Sequence, residues 1–122
     1  MDPIYHITTR QDLDAAQAHG VLRPASLRQE GFIHCSHLQQ VTFAANRFFQ
    51  GQSDLVLLEI NPAQLSAPLI EERATDVEDS FPHLYGELPL TAVIRTLDFP
   101  CEDDGTFELP ARLLPQDPPI SR

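Results

Sequence analysis

The feature that most constrains this sequence is the run Asp54 to Ile60, DLVLLEI, where apolar residues follow one another without alternation. A half-exposed strand alternates apolar and polar side chains, so a run of this kind is expected to be a strand buried on both faces. A chain of 122 residues can build one core and one cleft around such a strand, but not two independent domains.

The remaining segments divide into early helices and late strands. Ile4 to Thr8 alternates and is rich in β-formers, which predicts a short first strand. Thr9 followed by Asp12 resembles a capping box, and the helix it opens is expected to end at Gly20. Arg23 to Glu30 is expected to be a connector, and Gly31 to Ser36, GFIHCS, a second strand. Ser36 with Gln39 forms a second capping box, opening a helix over 37–49 with Leu38, Val41, Ala45 and Phe48 as its apolar stripe. After Gly51 come the buried strand, a short strand at Leu69 to Ala74 and a last strand at Leu90 to Phe99. The predicted order β-α-β-α-β-β-β fits an α+β fold or a mixed sheet better than a doubly wound one.

Residues 1–99 are expected to form the single domain, and 100–122 an acidic, proline-rich tail. Pro110, Pro115, Pro118 and Pro119 forbid regular helix there, so the tail is either disordered or laid over the body through Leu109, Leu113 and Leu114.

Charge narrows the partners. The net charge is -10, and all eight basic residues are arginine. Phosphate backbones and anionic membranes attract positive surface, so neither nucleic acid nor membrane is an expected partner. A small anionic ligand held by a few arginines, such as a nucleotide, is compatible with this charge. The lack of lysine rules out Schiff-base chemistry and a Walker A loop. The two cysteines make no disulfide framework, and the start MDPIYHITTR carries no signal-peptide pattern, so a cytoplasmic location with reduced thiols is expected.

Five histidines carry most of the candidate chemistry. Side chains alternate along a strand, so Ile4, His6 and Thr8 share one face, and Phe32, His34 and Ser36 share another. If the two strands approach each other, His6, His34 and Ser36 line one concave surface. Any one of these histidines could instead be structural, donating to a backbone carbonyl. Ser36 could likewise be only a helix cap, or it could mark a helix N-terminus that attracts a phosphate with help from Arg10, Arg28 or Arg47.

In Phe81-Pro82-His83-Leu84-Tyr85-Gly86, His83 and Tyr85 alternate onto one side if the segment is extended, and Gly86 could supply a positive φ. Glu71, Glu72, Asp76, Glu78 and Asp79 form an acidic stretch that is mainly solvated loop, with one carboxylate available to a cleft. Cys35 faces away from His34 toward the core, which argues against a Cys–His nucleophile. His34 and His37 are spaced poorly for a three-histidine zinc site, and no metal is expected.

The combination of IYHIT, SLRQEGFIHCS, QQVTFAANRFFQG, DLVLLEI and FPHLYGELPLTAVI resembles the bacterial domain-of-unknown-function family 952 over roughly residues 3–99. That family is similar in fold to the ADP-ribosyltransferase superfamily, which uses NAD, and distantly to the RNA 2′-phosphotransferases. The resemblance implies a split, curved mixed β-sheet around a cleft with two early helices. It implies NAD as a substrate, with reaction at the nicotinamide–ribose bond, or a nucleotide- or ADP-ribose-binding module without catalysis. It assigns catalytic roles to His6, His34, Glu72 and His83, and ligand binding to His6, Thr8, Ser36 and Tyr85. The chain departs from the better-known transferases in its His–His pattern and in lacking a clear catalytic glutamate in the last strand.

Overall fold

The computed structural model describes residues 2–73 and 79–114. The apolar run becomes β4 (Leu55–Ile60), every residue of which is buried. It lies between β1 (Ile4–Thr9) and β8 (Val93–Asp98) and is antiparallel to both. On one face Val56, Leu58 and Ile60 join Ile4, Ile33, Cys35 and Leu84 in one hydrophobic cluster. On the other, Leu55 and Leu57 join Tyr5, Ile7, Val41, Ala45 and Phe99 in a second. The strand is therefore covered on both sides, as its lack of alternation requires.

Glu59 is the one carboxylate in β4, and it is buried. Cross-strand register explains how the sheet tolerates it. Tyr5, Glu59 and Arg95 stand abreast on β1, β4 and β8. The Tyr5 hydroxyl donates to Glu59 at 2.7 Å and Arg95 Nε donates at 2.8 Å. A buried charge paired and hydrogen-bonded in this way avoids the cost of isolation. Burial, reinforced by the bond to Glu59, pushes the Tyr5 phenol well above its ordinary value.

The first helix, α1 (Arg10–Gln17), begins where Thr9 Oγ1 accepts the Asp12 amide at 3.0 Å, and it buries Leu13 and Ala16. Gly20 adopts φ +77°, the left-handed conformation a glycine favours after a helix. The expected connector at 23–30 instead contains β2 (Val21–Leu22) at its approach and a helix, α2 (Ala25–Glu30). None of the α2 residues is fully buried, so the helix has no apolar stripe from which periodicity could reveal it. Its stop is local: Gly31 at φ +90° returns its amide to the Leu27 and Ser26 carbonyls.

The expected second strand is shortened to β3 (Ile33–His34). Ser36 does not cap a helix. Its amide and carbonyl instead pair with Tyr5 in an isolated antiparallel bridge, at 2.7 and 2.8 Å. Leu38–Gln40 forms a 3-10 turn in which Gln40 Oε1 accepts the His37 amide at 2.9 Å, and α3 (Val41–Phe48) follows. The capping partners are thus one residue later than expected, because backbone pairing to β1 holds Ser36 in extended geometry.

The later strands are β5 (Leu69–Arg73), β6 (Ser80–Leu84) and β7 (Leu88–Pro89). Three sheets result, with orders β1-β4-β8, β2-β7 and β3-β6-β5. The fold is α+β. Every strand pairing among the described residues is antiparallel, which corrects the expected mixed sheet. Three α-helices rather than two precede β4. Gly86 is not at positive φ. A Cβ there would sit 2.5 Å from Ala67 Cβ, so close approach of two loops is what requires glycine.

Residues 100–114 lie over the body. Phe107 and Leu113 are buried in the second cluster, Leu109 is partly buried and Leu114 is exposed. Asn46 on α3 fastens this segment by accepting the Phe107 amide at 2.7 Å and donating to its carbonyl at 3.3 Å. The expected boundary at 99 is therefore not a break in the core. Pro115, Pro118 and Pro119, with Asp76 and Glu78 of the acidic stretch, lie outside the described residues.

Candidate functional site

The sheets β1-β4-β8 and β3-β6-β5 meet at the Tyr5–Ser36 bridge, and a cleft of about 560 Å³ opens along this seam. His6, Thr8, His34, Ser36 and His83 all line it. The two-strand face argument thus places its residues together, and β6 adds His83. Phe32, Phe48, Phe49 and Phe81 supply aromatic walls. A volume of this size is in the range of small-molecule sites.

His6 projects from β1 and is 6% exposed. Its Nδ1 donates to the His34 carbonyl at 2.6 Å. A carbonyl can only accept, so Nδ1 carries the proton and, in the neutral ring, Nε2 carries a lone pair. Burial lowers the His6 pKa to about 4, which keeps the ring neutral near pH 7. The structural role possible for such a histidine is thus real for one nitrogen. The other, Nε2, is buried with no hydrogen-bond partner among the described residues.

His83 repeats this arrangement with a charged partner. Register places it opposite His34, and β5 runs along its other side. Its Nδ1 donates to Glu72 Oε1 at 2.9 Å, and the Tyr85 hydroxyl donates to the same oxygen at 2.5 Å. Those bonds, Tyr85's first, hold the Glu72 carboxyl below its ordinary range, and the Tyr85 phenol is raised in return. The Phe32 ring stacks on His83 at 4.0 Å between centroids and 16° between planes. His83 Nε2 is also buried without a partner.

His34 stands differently. Its ring is half exposed, 5.3 Å from that of His83, and Nε2 meets Glu30 at 3.1 Å. Glu30 closes α2, so the unexpected helix also supplies a site carboxylate.

Glu72 and Tyr85 are not among the lining residues. They stand behind His83 instead, so a direct contact between Glu72 and a cleft ligand does not follow from the fold. The described acids of the acidic stretch on either side of Glu72, Glu71 and Asp79, are exposed as expected, yet each has a partner: Glu71 meets His37 at 2.8 Å, and Asp79 accepts from Gln40 at 2.7 Å. Arg10, Arg28 and Arg47 are absent from the cleft lining, and Arg73 is present. The expected phosphate seat at the start of the 37–49 helix is not supported, because Ser36 is tied to Tyr5 and the His37 amide to Gln40.

Cys35 is buried in the core, and burial pushes its thiol up to about 12, which disfavours the thiolate a nucleophile needs. Among the described residues no group of three or more His, Cys, Asp or Glu is placed to hold a metal ion. No described helix is long and apolar enough to cross a membrane.

The sequence from residue 7 to 96 matches the family model described as protein of unknown function DUF952, and the chain belongs to that family. The fold is similar to the crystal structure of protein CC0527 from Caulobacter crescentus, with 36% identity and a TM-score of 0.81 over 91% of this chain and 97% of that one. The solution structure of CC0527 matches with 36% identity and a TM-score of 0.75, over 87% and 91% of the two chains. No curated protein matches the chain.

Proposed function

We propose that this DUF952 protein binds NAD in the seam cleft and cleaves it at the nicotinamide–ribose bond. The observation that carries the reading is the pair of buried, unpartnered Nε2 atoms on two histidines lining one cleft. Buried polar groups in native proteins are nearly always satisfied, so two oriented acceptors in one cleft suit a ligand rich in hydroxyls. A ribose offers such hydroxyls, and the phenylalanine walls suit flat heterocycles on either side of it. Arg73 is the lining residue suited to a pyrophosphate. The resemblance to the ADP-ribosyltransferase superfamily supports NAD in particular.

Breaking this bond passes through an oxocarbenium-like state, and rate comes from holding the ribose and stabilising positive charge. His6 Nε2 accepts a ribose hydroxyl. Ser36 and Thr8 flank the same ribose, and His34 with Glu30 places negative charge at the rim. The test is nicotinamide release from NAD. Wild type should release it, and His6→Ala and His34→Ala should slow release by about a hundredfold to a thousandfold, the range for a lost transition-state contact. Equal rates in all three proteins and in buffer would sink the reading.

A second reading, a binding module without turnover, has an observation of its own: Glu72, the carboxylate expected to face the cation, bonds His83 and Tyr85 instead. Saturable NAD binding by calorimetry with no nicotinamide release would favour it.

A further inference from the structure

We infer that His83 is the proton acceptor for a water nucleophile, with Glu72 and Tyr85 as its positioning residues, so that the overall reaction is hydrolysis of NAD to nicotinamide and ADP-ribose. This rests on the NAD-cleaving reading above and deepens it by naming the acceptor.

The two buried histidines differ in a way that assigns their tasks. His6 leans on a neutral carbonyl, which fixes its tautomer but does little for an imidazolium. His83 leans on a carboxylate, which fixes the tautomer and also stabilises the imidazolium formed when Nε2 takes a proton. Glu72 is itself fixed, since Tyr85 donates to the same Oε1. His34 is the other titratable ring facing His83, at 5.3 Å, and Glu30 neutralises it when it is charged. His6 is therefore built to accept a hydrogen bond, and His83 to accept a proton.

Burial selects the nucleophile. The His83 side chain is 4% exposed and one face of its ring is covered by Phe32. Nε2 is itself fully covered, so the smallest nucleophile, a water admitted together with the ligand, suits it, and a side chain of another protein does not. The step balances. The water oxygen forms a bond to ribose C1′ while the C1′–nitrogen bond breaks. Its electron pair neutralises the nicotinamide ring, and the water proton goes to His83 Nε2 and then to solvent.

The test follows NAD with wild type, His83→Gln and Glu72→Gln, measuring nicotinamide, free ADP-ribose and the intact mass of the protein. Wild type should give nicotinamide and free ADP-ribose in equal amounts, with no added mass on the protein. His83→Gln should lower kcat by about 100-fold or more while KM stays within about threefold, as expected for a lost general base. Glu72→Gln should lower kcat by about tenfold and move the acid limb of the pH–rate profile to lower pH, because the imidazolium loses its carboxylate. A purely structural role for Glu72 would not move that limb, and this variant decides the matter if His83→Gln fails to fold. Release by His83→Gln within threefold of wild type, an unmoved acid limb, or ADP-ribose found on the protein would each overturn the inference while leaving NAD cleavage intact. No release by wild type at saturating NAD would overturn cleavage and this inference together.

Discussion

The sheets β1-β4-β8 and β3-β6-β5 are both three-stranded and antiparallel, yet they treat buried polar groups in opposite ways. In the first, each strand has six residues, and the buried Glu59 is met by Tyr5 and Arg95 from both neighbouring strands. In the second, β3 has two paired residues, and the buried His83 is satisfied on one nitrogen only. A fully paired group adds order and offers nothing to a ligand. A half-paired group costs stability and keeps one atom available. The long sheet pairs its buried charge fully, and the short one leaves a buried histidine nitrogen unpartnered among the described residues. His6 crosses the division: its backbone belongs to the long sheet and its ring belongs to the cleft.

The sharpest way to break this comparison is to cut apolar bulk from each sheet. Leu58→Ala in the fully buried β4 should lower the unfolding free energy by about 3–4 kcal/mol. Ile70→Ala on β5, where the side chain is largely exposed, should cost no more than about 1 kcal/mol. Denaturant titration of both variants decides it, and similar costs would end the contrast between the two sheets.

His6 gives the next largest effect. Its folded pKa of about 4 lies below the ordinary 6.5, so the unfolded chain binds a proton that the folded one refuses. Stability from this group is complete above pH 6.5 and is lost as pH falls toward 4, by about 3 kcal/mol in all. His6→Gln should flatten that part of the stability profile relative to wild type. Parallel profiles for the two proteins between pH 7 and 4 would show that the ring is not held neutral by burial.

Tyr5→Phe should cost less than Leu58→Ala or the His6 titration, about 1–2 kcal/mol, because Glu59 loses one donor and keeps Arg95. Its Tm shift should shrink when Glu59 is also replaced by Gln, and full additivity in that double-mutant cycle would remove the network from the account.

Much of this was legible in the sequence because it is written locally. The unbroken DLVLLEI run specifies β4, Thr9 with Asp12 specifies the start of α1, and alternation about His6 and His34 brings His6, His34 and Ser36 into one cleft. What escaped notice depends on partners distant in sequence or on weak local signals. The α2 helix buries no residue fully and so leaves no periodic trace. Ser36 looks like a cap, and only the arrival of Tyr5 makes it a bridge. Glu72 sits in a run of acids that composition reads as solvated, and its direction is set by β5–β6 register with His83 and Tyr85. Phe107 follows an acidic, glycine-containing turn, and only its bonds to Asn46 mark it as core.

The Tyr5–Ser36 bridge has a mechanical meaning. The ladders β1-β4-β8 and β3-β6-β5 touch through two backbone bonds there, supported by the His6–His34 bond. A molecule accepting the embrace of His6 on one bank and His83 on the other acts as a tie rod across the joint. At a hundred times its dissociation constant such a tie adds about 2.7 kcal/mol to the closed form. The Tyr5 and Ser36 amide protons, which close the joint, would exchange with solvent more slowly in proportion, and so report whether the banks are held together.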